Sequence, residues 1–280
     1  EVSSGHGALH LTGKNPTEQF HSTHQISAAT LVNVHHPRID REIGYFNLTR
    51  FQPRLDRADS PRFSFDFDAL EVLNGYQDAE RKHIDQLIDD WMSLLNHGHL
   101  VTATGNSDTH HLNYNLGGYP RNYVRVPDDR IEAVTPTQVA MGVKGHHSFF
   151  TTAPFVRLTA NGGDLGDLVR APGGKVHVEL SVEAAPWVTV SVVTLYLNGQ
   201  DYKKWQVPRS TQVMRLRTKL ELQLPRDAYL VARVDGDQPM APVIGDRIRF
   251  DVRPLALTNP IFLDVDGDGA FKPLYPHAHR

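Results

Sequence analysis

The hexapeptide Gly105-Asn106-Ser107-Asp108-Thr109-His110 sets a carboxylate and an imidazole two positions apart, just after the apolar run Leu100-Val101-Thr102-Ala103-Thr104. Residues i and i+2 of an extended segment project to the same side, so Asp108 and His110 are placed to face one point. The run before them has the length of a short buried strand, and the carboxyl mouth of a strand is where α/β folds hold their sites. A hard carboxylate beside an imidazole suits Zn, Mn or Fe. Nucleophilic catalysis would also require a Ser or Cys placed against a base. The same hexapeptide reads equally as an Asp-capped turn carrying an incidental His, and the other elements have to decide between the two.

Four segments of strand character precede that run: Glu1-Val2-Ser3-Ser4, Gly7 to Gly13, Leu31 to Val34, and Phe67 to Leu73 closed by Asn74-Gly75. They bring Glu1, His10 and His36 to strand ends. The proline after His36 is expected to force that residue into an extended backbone and so fix the direction of its imidazole. Residues 16–30 read as a helix with Thr17 as its cap. Residues 40–63, rich in Asp, Arg, Pro and aromatics without periodicity, read as a long loop over the site. Ile84, Leu87, Ile88, Trp91, Leu94 and Leu95 recur at spacings of three and four, which predicts a helix over 78–96 ended by Gly98. Alternating strands and helices whose strand ends carry Glu1, His10, His36, Asp108 and His110 form the pattern of a parallel barrel or open α/β sheet around a metal. Glu71, also near a strand end, is either structural or a further site residue.

Composition narrows the chemistry. The 280 residues, 40% hydrophobic and 22% charged, are those of a folded chain with one large or two ordinary domains. A net charge of -3 and the lack of a basic block interleaved with aromatics argue against a nucleic-acid partner. No apolar run approaches the roughly 18 residues of a membrane helix. With no cysteine, disulfides, thiolate metal sites and cysteine nucleophiles are all excluded, so any metal must be held by His, Asp and Glu. There are 16 histidines, against roughly six or seven for a chain of this size. Of these, His83, His97, His99, His146, His147, His177, His277 and His279 read as solvated or capping residues. The chain opens on Glu1 and runs at once into strand-like sequence, as the middle of a domain would.

The second half changes character. Thr135-Pro136-Thr137-Gln138 is a capping box with proline at the first helical position, starting a helix that runs to about Lys144. Past Phe155 a period of two takes over: Val176, Val178, Leu180 and Val182 alternate with polar residues, as do Leu216, Leu220, Leu222 and Leu224. A strand from Val188 to Leu197 ends in the hairpin signal Asn198-Gly199, and further strands are expected at 228–234 and 246–252. Two domains follow, an α/β domain over 1–154 and an all-β, immunoglobulin-like sandwich over 155–280. Near the end, Asp264-Val265-Asp266-Gly267-Asp268-Gly269 carries the carboxylates and glycine of a calcium loop, with Tyr275 where a Glu is expected. It reads as a tight acidic turn or as a calcium site through Asp264, Asp266 and Asp268.

In order and spacing, E-V-S-S at 1–4, G-A-L-H-L-T-G at 7–13, V-N-V-H-H-P-R at 32–38, A-L-E-V-L-N-G at 69–75 and G-N-S-D-T-H at 105–110 resemble the PHP (polymerase and histidinol phosphatase) superfamily. The resemblance is strongest to its CehA/McbA-like, carbaryl-hydrolase-type branch. It implies the C-terminal part of a distorted (β/α)7 barrel over 1–154, with two or three divalent ions (Zn, Mn or Fe) at the carboxyl mouth. Carried over residue by residue, Glu1 takes the metal-bridging position, His10 the histidine that follows it (His6 being the alternative), His36 the HP-motif ligand, and Asp108 and His110 the last two ligands. The family's opening HxH has no counterpart here. The resemblance therefore implies that an upstream segment of the same protein completes the site and that this chain alone has little activity. The implied reaction is hydrolysis of a small-molecule ester, phosphoester or carbamate by a metal-activated hydroxide, with Glu1, Asp108 and His110 catalytic. Arg38 and Arg121 pair either with an anionic substrate or with surface carboxylates. A sandwich appendage and the absence of cysteine suggest an exported bacterial protein. Two other readings stand beside this one: a non-catalytic binding or surface module, with a degenerate barrel and a sandwich that recognises a glycan or protein, and a nuclease of the same superfamily, which the absence of a basic surface opposes.

Overall fold

A computed structural model describes residues 14–39, 44–75, 83–110, 116–128, 130–245 and 251–275, which form a mixed α/β structure with its strands in open sheets. The N-terminal part carries α1 (Pro16–His24), α2 (Tyr45–Thr49), α3 (Ile84–Asn96) and three parallel strands, β1 (Asn33–Val34), β2 (Ala69–Asn74) and β3 (Thr102–Asn106). The strands lie in the order β1-β2-β3, and β2 is buried along its whole length, as a central parallel strand must be. The periodicity that predicts α3 is the periodicity that buries it: Leu87, Ile88, Trp91, Leu94 and Leu95 all face the core. Each of these leucines stabilises the fold by about 2 kcal/mol through the apolar surface it removes from water. Trp91 also donates its indole N–H to Val101 O at 2.7 Å, which fixes where β3 begins.

The remaining strands are β4 (Arg121–Val124), β5 (Ser148–Thr151), β6 (Phe155–Ala160), β7 (Leu168–Arg170), β8 (Lys175–Glu183), β9 (Val192–Leu197), β10 (Gln200–Gln206), β11 (Met214–Gln223), β12 (Ala228–Asp235), β13 (Leu255–Thr258) and β14 (Ile261–Asp264), with α4 (Pro136–Lys144) ahead of β5. One large sheet runs β10-β9-β12-β13-β5-β4, with β14 bridging β12 and β7, and a smaller antiparallel sheet runs β11-β8-β6. The large sheet is the middle layer, and β12 shows how. Leu230, Ala232 and Val234 pack toward β8 and its valines, whereas Tyr229 and Val231 pack toward α3 and the parallel strands. Period-two projection lets one strand serve two cores. The position 154/155 falls between β5 and β6, and β4 and β5 on its N-terminal side are hydrogen-bonded into the large sheet through β13.

Several local expectations change. The cap of α1 is Asn15, not Thr17: its side chain accepts from Glu18 N while Glu18 reaches back to Asn15 N, and Pro16 takes the first helical position. The helix stops at His24 instead of continuing to residue 30. The described part of 40–63 carries α2 and a 3-10 turn where a long loop was expected, and its Tyr45, Phe46, Phe51 and Phe63 stack edge and face with Phe65 into an aromatic subcore. Residues 251–254 are not strand, 246–250 lie outside the described residues, and the apolar runs 255–258 and 261–264 supply the strands instead. The helix over 136–144 and the hairpin at Asn198-Gly199 form as their turn chemistry predicts.

Candidate functional site

The carboxyl ends of β1, β2 and β3 meet on one buried carboxylate, Glu71, which is 1% exposed. Its Oε1 accepts from His35 Nδ1 at 3.0 Å and Asn106 Nδ2 at 2.8 Å, and its Oε2 from His36 N at 3.0 Å and Asn74 Nδ2 at 3.1 Å. Burial alone would push the Glu71 carboxyl up; donors from His35, Asn106 and the His36 backbone outweigh it and hold the group below the usual carboxylate range. His36 has φ +50°, a left-handed backbone, where the following proline predicted an extended one. The bond from its own N–H to Glu71 draws the chain into this turn. Its ring Nδ1 lies 3.8 Å from Glu71 Oε2, and its ring centroid is 6.4 Å from that of His35.

β3 extends two residues beyond its expected end, so Asn106 belongs to the strand and reaches Glu71. Its outer edge is sealed by two side-chain amides. Asn259 accepts from Ala103 N and donates to Ala103 O and Ser148 O, and Asn122 accepts from Gly105 N and donates to Gly105 O. Asn122 also donates to Asn106 Oδ1, which joins the large sheet to the Glu71 network. Gly105 is required by close packing: a Cβ there would lie 2.7 Å from the Phe150 ring.

Asp108 and His110 meet through a turn and not through the strand alternation that would have faced both to one point. Asp108 has φ +49° and sits against Gly75, the residue after β2, while His110 Nδ1 is 2.8 Å from Asp108 O and 3.4 Å from Asp108 Oδ1. Glu1, His6 and His10 lie outside the described residues. Among the described residues, His36, Asp108 and His110 do not close into a group of three ligand atoms within 4.8 Å; the group that does is Asp227, Asp264 and Asp266. That loop has its own cation. Lys272 Nζ sits against both Asp266 and Asp268, and these carboxylates raise its pKa. Asp264 is occupied by the N–H groups of Gly267 and Gly269, and Asp227 by those of Val265 and Lys272.

The two arginines are held by the protein itself. Arg38 forms a largely buried ion pair with Asp90, donates to Asn47 and lies over the Phe46 ring. Arg121 donates to the carbonyls of Gly118 and Thr152 and packs between Tyr119 and Tyr123. Two histidines read as solvated or capping are packed into the fold instead: His99 stacks on Phe65 and meets Asp56, and His146 is buried against Thr102. Sequence reasoning passed over His35, Asn106, Asn122 and Asn259. For His35 a signal was present, because period two in Val32-Asn33-Val34-His35 puts Asn33 and His35 on one face, and Asn33 donates to Thr104 of β3.

No family model and no curated protein matches the chain. Among solved structures there is a likeness to the crystal structure of an engineered protein, at 12% identity and a TM-score of 0.24, covering 41% of this chain and 21% of that one.

Proposed function

We propose that the protein is a metal-dependent hydrolase of small-molecule ester, phosphoester or carbamate bonds, with its site at the carboxyl ends of β1, β2 and β3. The observation that carries this reading is the desolvated Glu71 carboxylate, whose four donors hold two histidine-bearing strand ends in place. Such a network is costly to bury and stabilises little by itself, so orienting reactive side chains is its best use. In this reading β1 to β3 with α3 are the C-terminal part of a distorted (β/α)7 barrel, and the two facing sheets an immunoglobulin-like sandwich. His36, Asp108 and His110 would hold the ions, with Glu1 and His10 completing the proposed set. Imidazole and carboxylate donors fit Zn, Mn or Fe in type. When bound, such ions lower the pKa of a coordinated water and polarise the scissile bond. Asp108, set by its left-handed turn beside Gly75, orients the attacking water, and His110 assists the leaving group.

The test is hydrolysis of p-nitrophenyl phosphate and p-nitrophenyl acetate by the purified protein after dialysis against EDTA and reloading with Zn2+ or Mn2+. Metal-dependent turnover is expected, weak in this chain by itself because the family's opening HxH has no counterpart here, and falling to background in Asp108→Asn and His110→Ala. Turnover indifferent to both chelation and these substitutions would falsify the reading.

A further inference from the structure

We infer that His35 is an additional metal-binding imidazole of this site and that Glu71 is the carboxylate that orients it, not itself a ligand. The inference rests on the proposed metal-dependent function and extends it to residues that the motif reading does not assign. A carboxylate has four lone-pair positions, and at Glu71 four donors take them: His35 and Asn106 on one oxygen, the His36 backbone and Asn74 on the other. With its side chain 1% exposed, nothing is left on Glu71 to coordinate an ion.

The carboxylate instead decides the tautomer of His35. Oε1 accepts at 3.0 Å from Nδ1, so the proton sits on Nδ1 and the lone pair on Nε2. Asn33 Nδ2 gives that lone pair one long hydrogen bond, at 3.4 Å, while its other N–H goes to Thr104 Oγ1 at 3.2 Å. The His35 side chain is 52% exposed, so the half-solvated ring is anchored firmly at one nitrogen and only by a long, displaceable contact from Asn33 at the other. A histidine that donates one ring N–H to a buried carboxylate while presenting the other nitrogen outward has the arrangement of a metal-binding imidazole with its orienting partner. The His35 and His36 centroids, 6.4 Å apart, exceed the roughly 5 Å of two imidazoles on one tetrahedral ion, so the two rings address different positions.

The experiment is calorimetric titration of the metal-free protein with Zn2+, alongside His35→Ala, His35→Gln and Glu71→Gln, with far-UV circular dichroism to verify folding. His35→Gln keeps an amide donor for Glu71 while removing the imidazole, and so separates loss of a ligand from loss of the network. Both His35 variants are expected to lose one equivalent of Zn2+ or at least 100-fold in its affinity. Glu71→Gln should keep the stoichiometry and weaken binding by about 10–100-fold. Unchanged binding in folded His35→Gln overturns the assignment of His35 while leaving the metal-dependent reading intact. Loss of a whole equivalent in Glu71→Gln overturns the orienting role. A folded parent protein that takes up no Zn2+ overturns the functional reading itself.

Discussion

Acid should weaken this protein through one histidine, His146. It is 8% exposed and has φ +60°; its Nδ1 lies 2.7 Å from Thr102 Oγ1, and that hydroxyl donates to Val143 O at 2.6 Å. Thr102 has one proton to give and spends it on the carbonyl, so His146 donates from Nδ1. Burial, reinforced by the neighbouring His147, pushes the imidazole down to about 4. In the unfolded chain it titrates at its ordinary value of 6.5. Above that value neither state binds the proton, and the full stability is present. As pH falls below 6.5 the unfolded state takes up a proton that the folded state refuses, so stability drops by about 1.4 kcal/mol per pH unit. The loss levels off near pH 4, at about 3 kcal/mol. The comparison that isolates it is urea unfolding of the parent and of His146→Asn at half-unit steps from pH 7.5 to 4.5. Asparagine tolerates the left-handed backbone, retains a donor for Thr102 and does not titrate, and other acidic groups cancel in the difference. The stability gap between the two proteins should close or reverse by about 2–3 kcal/mol across that interval. Parallel curves, or a parent that gains on the variant as pH falls, would show that the imidazole is not held neutral by its surroundings.

Replacing Asn259 by Ala strips partners from Ala103 N–H and C=O and from Ser148 O, all at a buried seam. A loss of about 3 kcal/mol is expected in chemical denaturation, and a loss under 1 kcal/mol would mean that the seam relaxes. Gly105→Ala drives a methyl to 2.7 Å from the Phe150 ring and should cost about 1–3 kcal/mol in the same assay; an unchanged midpoint would contradict the close packing of β3 on β5. Millimolar calcium should leave the melting temperature unchanged, because the Lys272 ammonium already bridges Asp266 and Asp268 and the backbone N–H groups occupy Asp264. A calcium-dependent rise that disappears in Asp266→Ala would establish the loop as a calcium site instead.

What the chain determined by itself is whatever a short window can encode. The three-and-four spacing of Leu87, Ile88, Trp91, Leu94 and Leu95 makes α3, the Thr135–Gln138 box starts α4, and Asn198-Gly199 turns β9 into β10, since each depends on neighbours within a few residues. The hexapeptide ending in Asp108 and His110 likewise announced a polar strand end. Its geometry was not legible there: the pair meets through a left-handed turn packed on Gly75, the residue that follows another strand. The tertiary structure alone decided the role of Glu71, which looks in sequence like one carboxylate in an apolar run, yet collects donors from residues 35 and 36 on one side and 106 on the other. It also decided that Arg38 is consumed by Asp90, and that Asn259 seals the edge of β3 from 156 residues away. Hydrogen-bond partners so distant leave no period or spacing to read. They exist only once the apolar faces of α3 and the middle sheet have packed and brought the polar strand ends together.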